Sequence, residues 1–319
     1  MTVSWQGQAS RQIRLLVPPG SRLLIAVSGG PDSVVLAHFL KSQPYRLIIG
    51  HVDHRLRKGS ARDAQFVKNL AKQWDIPFRV TAVNVKVLAR RRALGVEEAA
   101  RELRYQALSR MARQSRCTAI VTAHTASDQA ETVLMNFLRG AGPAGLAGMP
   151  DVRYLHHSGK VPIVRPFLGV SRREVLGSLK ALALPCRQDP SNRSLRFMRN
   201  RIRHSTLPSL EKLYPGLAGR LAQSADIFRG EEDFWRSLVL SYLRKTVRKN
   251  GRKITVVLPR LLRYHKALSR RILRHILPGL SFQDIEQVLT LARSPERTEW
   301  LRLSGRRRVR RKKNTLVVA

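Results

Sequence analysis

The chain is 319 residues long and 43% apolar, and it carries 60 Lys and Arg against 21 Asp and Glu, a formal net charge of +39. That length buries a sizeable core and suits two domains, while the charge opposes self-association and suits a polyanionic partner, nucleic acid above all. Cys117 and Cys186 stand far apart in no CxxC pair, which argues against a disulfide framework or a zinc site; without a signal-peptide core or a span of membrane length, the expected location is the cytoplasm.

Four apolar, β-branched runs at 23–27, 46–52, 78–85 and 118–122 alternate with helical patterns at about 33–42, 59–74 and 96–115. This alternation predicts an α/β fold, a doubly wound parallel sheet whose ligands bind beyond the carboxyl ends of the strands. Residues 140–166 are rich in Gly and Pro and break the pattern, with 152–156 and 160–166 read as a short edge hairpin. A helix at about 171–183, capped by Ser171, and the turn cluster Asp189-Pro190-Ser191-Asn192 follow. Helices are then predicted at 205–214, 216–247, 260–277 and 281–292, and a terminal β meander at 300–303, 307–312 and 316–318. The expected boundary separates an α/β domain, 1–205, from a smaller helical domain, 206–319. Charge is denser in the second half: residues 1–150 carry a net +13 and residues 151–319 a net +26.

Residues 28–33, Ser28-Gly29-Gly30-Pro31-Asp32-Ser33, join the first strand to the first helix. Two glycines let the backbone approach an anion, and the first helical amides offer it orphan N–H donors. Pro31 fits a first turn, where no N–H partner is lost. Ser28 and Ser33 add hydroxyls. Asp32 would repel a phosphate unless a metal lay between them. A bare Gly-Gly turn would stand equally well as a capped βα connection; the full pattern favours phosphate. No Gly-Lys-Ser/Thr follows, so this is not a Walker loop, and the GxGxxG spacing is missing.

Three further clusters fall at strand ends or on a helix. His51, Asp53 and His54 end the second strand, where satisfied polar side chains compete with a functional reading. Arg101 and Arg104 are neighbours on one helix face, supported by Glu97, and suit a phosphate or a surface salt bridge. His124, Asp128 and Glu131 follow the fourth strand; the two carboxylates serve either as caps or as a metal-facing pair opposite Asp32. Cys117, opening an apolar run, reads as a buried thiol.

The segments SGGPDS, HVDHRLR, EEAARELRY, TAHxxxDQAETVLxxxLRGxGxxGLxGMP, RPFL, DPSN and the Arg-rich run 197–203 occur in this order. In these motifs the chain resembles the tRNA(Ile)-lysidine synthetases of the PP-loop ATP pyrophosphatase superfamily, in a short form, densely over 22–210 and loosely beyond. The resemblance implies a C–N-forming ligase that uses ATP and Mg²⁺. It adenylates the wobble cytidine of a tRNA with a CAU anticodon, releases pyrophosphate, then joins lysine at C2 with release of AMP. It implies an ATP site at Ser28, Gly29, Gly30, Pro31, Asp32, Ser33, His54 and His124, and Mg²⁺ on Asp32 and Asp128. Catalytic roles fall to Asp32, Asp128, Arg101, Arg104 and Arg201. Contact with tRNA falls to Arg199 and Arg203, and in the terminal meander to Arg308, Arg310 and Lys312. The family's usual His-His-x-Asp-Asp-Gln reads His124-Thr125-Ala126-Ser127-Asp128-Gln129 here, and Ser127 cannot replace a carboxylate on a metal. Asp53, Asp128 and Asp189 stay open as the carboxylate that meets lysine. Longer members carry a further tRNA-binding domain, before which this chain is expected to stop. No stable protein partner is expected, and a homodimer stays open. A PP-loop tRNA thiolase and an inactive RNA-binding homologue are the competing readings; the first needs cysteines this chain lacks.

Overall fold

A computed structural model describes residues 4–56, 59–154, 161–187, 195, 198–251, 253–295 and 299–319. The chain divides into two compact units, Met1–Arg229 and Gly230–Ala319.

In the first unit, helix α1 (Trp5–Leu16) precedes a six-stranded sheet. Its strands are β1 (Arg22–Ala26), β2 (Arg46–Asp53), β3 (Phe78–Ala82), β4 (Ala119–Val121), β5 (Val152–Arg153) and β6 (Ile163–Val164), in the order β3-β2-β1-β4-β6-β5. Neighbours run parallel except at the β5–β6 edge. The connections are α2 (Pro31–Lys41), α3 (Ser60–Gln73), α4 (Val85–Arg92), α5 (Val96–Gln114), α6 (Ala126–Leu138) and α7 (Pro143–Leu146), with α8 (Arg172–Ala181) after the sheet. Strand periodicity explains why both faces are covered. Leu23 and Ile25 point into the core with Val35, Leu36 and Leu40 of α2, while Leu24 points oppositely onto Leu108 and Met111 of α5. Each such fully buried side chain contributes about 1.5–3 kcal/mol.

Two helices go beyond the sequence reading. In α1, Ala9 and Ile13 are buried, and Trp5 packs its ring 5.6 Å from Phe39 and 5.4 Å from Phe167. The strand expected over 78–85 stops at Ala82 because the Asn84 side chain accepts from the Val87 N–H and starts α4. After α8 come α9 (Met198–Arg201), a wide π-turn Ile202–Thr206, α10 (Leu207–Leu213) and α11 (Leu217–Thr246). The division between the units falls inside α11, beyond the 205/206 boundary read from the sequence. Ile202 and Leu207 pack with Ala130 of α6, and Leu217, Ala218 and Leu221 complete that cluster.

The second unit holds β7 (Val247–Asn250) and β8 (Lys253–Val257), then α12 (Leu258–Arg263), α13 (Lys266–Ile276) and α14 (Phe282–Arg293). The terminal strands β9 (Leu301–Arg302), β10 (Arg308–Lys312) and β11 (Thr315–Val318) follow. All five strands form an antiparallel sheet, β7-β8-β11-β10-β9, with Ile272, Leu273, Ile285 and Val288 buried in the unit's core. The expected meander is present. The β7–β8 hairpin is an addition, and its signal was the Asn250-Gly251 pair, with Gly251 at φ +56. The helix expected over 260–277 is broken at Tyr264, where His265 caps α13 by accepting from the Ala267 N–H.

Candidate active site

Residues 28–33 leave the carboxyl end of β1 and enter α2, so Pro31 occupies the first turn and Gly30 the cap. Gly29 lies at φ +91, and a Cβ there would stand 3.3 Å from the Phe66 ring. Only glycine fits this conformation without strain. Ser33 ties the loop together, its hydroxyl donating to the Gly30 carbonyl at 2.9 Å and accepting from the Ser28 N–H at 3.2 Å. The Ser28 hydroxyl accepts from the Gly30 N–H at 3.3 Å. The Gly29 carbonyl accepts from the Arg187 N–H at 2.9 Å, and Arg187 is itself paired with Asp63 at 2.8 Å. The loop is thus preformed, as anion cradles at helix N-termini are.

Asp32, at the second position of α2, meets Arg172 of α8 through Oδ2 at 3.4 Å, while its buried Oδ1 has no hydrogen-bond partner. Burial pushes its carboxyl above the ordinary range; Arg172 opposes this and the Asp128 charge adds to it. A buried carboxyl oxygen without a partner is an unfinished site.

Asp128 and Glu131, three apart on α6, point the same way and are buried. Arg199 and Arg203, four apart across α9 and the π-turn, grip both. Arg203 Nη2 donates to Asp128 Oδ1 at 2.6 Å and to Glu131 Oε2 at 2.9 Å, and its Nε to Glu131 Oε1 at 2.6 Å. Arg199 adds bonds of 3.2 Å to Asp128 and 3.0 Å to Glu131. Asp128 Oδ2 also accepts from the Thr125 N–H and hydroxyl at 2.9 and 3.0 Å, closing a capping box. Burial alone would raise this carboxyl, but the Arg203 and Arg199 guanidinium groups and the Thr125 N–H outweigh it and hold it below the ordinary carboxylate range.

His124 accepts or donates at Nδ1 to the Thr122 hydroxyl, 2.9 Å away, and burial holds its ring neutral, with Arg104 adding to that effect. His54 is pushed down to about 4, chiefly by burial and then by Arg104. Tyr105 lies between Arg101 and Arg104, each 5.6 Å from its ring. The three segments read from the sequence therefore converge at one end of the sheet.

Arg201 is exposed on α9. Arg199 and Arg203, assigned to tRNA by resemblance, clamp Asp128 and Glu131 in this structure. Arg308, Arg310 and Lys312 lie on β10 of the second unit. Asp189 and the DPSN segment lie outside the described residues, as does Phe197. Sequence reasoning missed Arg172, which balances Asp32, and Arg165 of the RPFL segment, wholly buried against Tyr105 and donating from Nη1 to the Pro150 carbonyl. A complementary spacing, carboxylates at i,i+3 and arginines at i,i+4, could have revealed the clamp.

A magnesium ion was implied at Asp32 and Asp128. The free Asp32 oxygen fits such an ion, which commonly takes one or two carboxylates together with substrate phosphates and water. Asp128 has both oxygens engaged by arginine and Thr125. Among the described residues no group of three or more His, Cys, Asp or Glu side chains is placed to hold a metal alone.

The strand–glycine loop–helix unit on this sheet defines a PP-loop nucleotide-binding protein, and residues 6–210 match the family model described as the PP-loop domain. The chain is 35% identical to the tRNA(Ile)-lysidine synthase of Thermosynechococcus vestitus over 92% of its own length and 85% of that protein. With the enzyme of the same name from Gloeobacter violaceus it shares 40% identity, covering 89% of this chain and 86% of the relative. For Synechococcus sp. the values are 34%, 92% and 94%. The chain belongs to the tRNA(Ile)-lysidine synthase family. Among solved structures, the U34-tRNA thiolase NcsA from Methanococcus maripaludis superposes with a TM-score of 0.57 at 17% identity, covering 70% of this chain and 80% of that one, a likeness of fold alone.

Proposed function

We infer that the chain is an ATP-dependent ligase that joins lysine to C2 of the wobble cytidine of tRNA(Ile) with a CAU anticodon, changing its codon reading from AUG to AUA. The observation that carries this reading is the preformed PP-loop with the unpartnered Asp32 oxygen, set in a chain of this family. In the first half-reaction the C2 oxygen of cytidine attacks the α-phosphorus of ATP, and pyrophosphate leaves. The amides and hydroxyls of 28–33 hold the departing phosphates in a preorganised cradle. Mg²⁺ on Asp32 would neutralise charge on that leaving group. Arg101 and Arg104, held about Tyr105, bind phosphate or the activated base, and exposed Arg201 is available to substrate. His54 and His124, neutral where they lie, line the nucleotide without adding charge.

In the second half-reaction the lysine ε-amine attacks C2, the C2–O bond to AMP breaks, and AMP leaves. The ammonium must first lose a proton. Asp128 has both oxygens taken by Arg199, Arg203 and Thr125, so we assign the role to Asp53, whose Oδ1 accepts from the Arg55 N–H at 2.9 Å. The clamp of Asp128 and Glu131 by Arg199 and Arg203 then holds the wall of the site rigid. No described helix is long and apolar enough to cross a membrane, and we place the reaction in the cytoplasm. The test is pyrophosphate and AMP release from ATP with lysine and tRNA(Ile) bearing CAU. Equimolar products, abolished by omitting lysine for AMP or tRNA for both, are expected. Turnover requiring a sulfur donor would favour a thiolase, and tRNA binding without ATP cleavage an inactive homologue.

A further inference from the structure

The amino ends of the strands, opposite the PP-loop, carry a feature the reaction does not use. A cleft of about 590 Å³ opens there, lined by Arg22, Arg46, Arg79 and Arg116 together with Pro77 and Ser115. No acidic side chain lines it, and none of the four arginines forms an ion pair among the described residues. The fold forces two of them together: Arg22 and Arg46 are register partners on adjacent parallel strands. Strand neighbours stand about 4.8 Å apart, and like charges so placed destabilise a sheet. Arg79 follows on β3, and Arg116 projects from the turn after α5 at φ +52. Arg22 Nη1 donates to the Ser115 carbonyl at 3.2 Å, which fixes that guanidinium at the cleft wall. The Ser115 hydroxyl is buried, the residue 9% exposed, and has no partner. Four cations without an anion and an orphaned hydroxyl donor together describe the empty half of an oxyanion site.

We propose that this cleft binds phosphate groups of the tRNA backbone, as a second anchor distinct from the ATP site. This rests on the functional reading above for the identity of the RNA. RNA is favoured over a free anion because Arg46, Arg79 and Arg116 are exposed along an open rim, where a passing backbone reaches them. The five residues of β1 separate this cleft from the PP-loop by roughly 17 Å of strand, a span that an extended polynucleotide bridges and a single nucleotide does not.

The experiment uses the full chain with Arg46→Gln and Arg79→Gln combined, both surface positions outside the catalytic machinery. Two lost phosphate contacts should flatten the log–log salt dependence of tRNA binding by about 1.4–1.8 units, a weakening of about 40-fold near 0.1 M salt. Turnover at saturating tRNA should be unchanged, with KM for tRNA raised. The Arg46→Lys, Arg79→Lys variant keeps the charge and should recover most of the slope, which separates phosphate binding from a folding defect. A wild-type slope in the Gln variant overturns the proposal while leaving lysidine formation untouched. If wild-type protein makes no lysidine yet the Gln variant still loses slope on tRNA, the cleft stands and the functional reading fails. Loss of inorganic pyrophosphate binding in the Gln variant, with tRNA binding intact, would assign the cleft to a free anion and overturn the RNA occupant.

Discussion

Replacing Arg203 with Met tests whether the carboxylate clamp is a structural device. Arg203 makes three of the five bonds that tie Asp128 and Glu131 to arginine. Glu131 is 2% exposed and Asp128 7%, so removal leaves two buried carboxylates sharing Arg199 alone. Breaking a buried pair by deleting one partner costs about 3–5 kcal/mol, and the surviving Arg199 places this case near 3 kcal/mol. For a unit of this size that corresponds to a fall in melting temperature of about 6–12 °C. The pH dependence supplies a second reading. Asp128 is held below its ordinary 3.8 in the fold, so its contribution is complete above that value and is lost as pH falls through the depressed one. Without Arg203 its carboxyl rises, and the gap between variant and wild type should narrow over the same acid window. The assay is thermal melting followed by Trp fluorescence at several pH values, with a double-mutant cycle against Glu131→Gln, expected to show a coupling of about 1–3 kcal/mol. A drop below 2 °C at neutral pH, or strictly additive single effects, would refute the argument that these arginines serve the carboxylates rather than RNA.

Asp32→Asn should lower pyrophosphate release by about 100-fold or more, as expected for losing a positioned charge in the transition state, and should leave tRNA affinity unchanged. Because burial disfavours the ionised Asp32 carboxyl, the same change should not destabilise the fold, and a lowered melting temperature would count against that account. The depressed His54, at about 4 in the fold against 6.5 unfolded, favours the neutral ring; stability is full above 6.5 and falls by up to about 3 kcal/mol as pH drops to 4. His54→Gln should remove that part of the acid sensitivity in denaturation curves, and an unaltered pH profile would show the ring is freely solvated. Arg308→Ser, Arg310→Ser and Lys312→Ser together should flatten the salt slope of tRNA binding by about 2–3 units with ATP affinity unchanged, whereas an unchanged slope would leave β10 as a solvated basic edge. Arg308 and Arg310 both lie over the Trp300 ring, at 4.8 and 4.7 Å, so these two share one face of the strand as period-2 alternation requires.

Sequence alone determined the parallel sheet, the phosphate loop and the family, because these rest on local signals. The run 23–27 is apolar at every position since both of its faces are buried. Gly29 is required by a positive φ and the nearby Phe66 ring, and Pro31 by a first turn that needs no donor. The terminal meander was equally legible, since Gly305 and Asn314 punctuate alternating strands. Tertiary structure decided what no local pattern encodes, namely which charges meet. Arg172 lies 140 residues from Asp32, and Arg203 lies 75 from Asp128. In a chain with so many arginines, nothing in the sequence marks Arg172 above the rest, and the spacing of Arg199 and Arg203 suggests a pair without saying what it meets. A guanidinium's role follows from whether a carboxylate, a phosphate or water completes its donors, and that depends on strand register and helix packing. The same packing makes Asp128, read by resemblance as a metal ligand, a cap and clamp partner as well. It also left Asp32 with an open oxygen and gathered Arg22, Arg46, Arg79 and Arg116, scattered over four segments, at the amino end of one sheet.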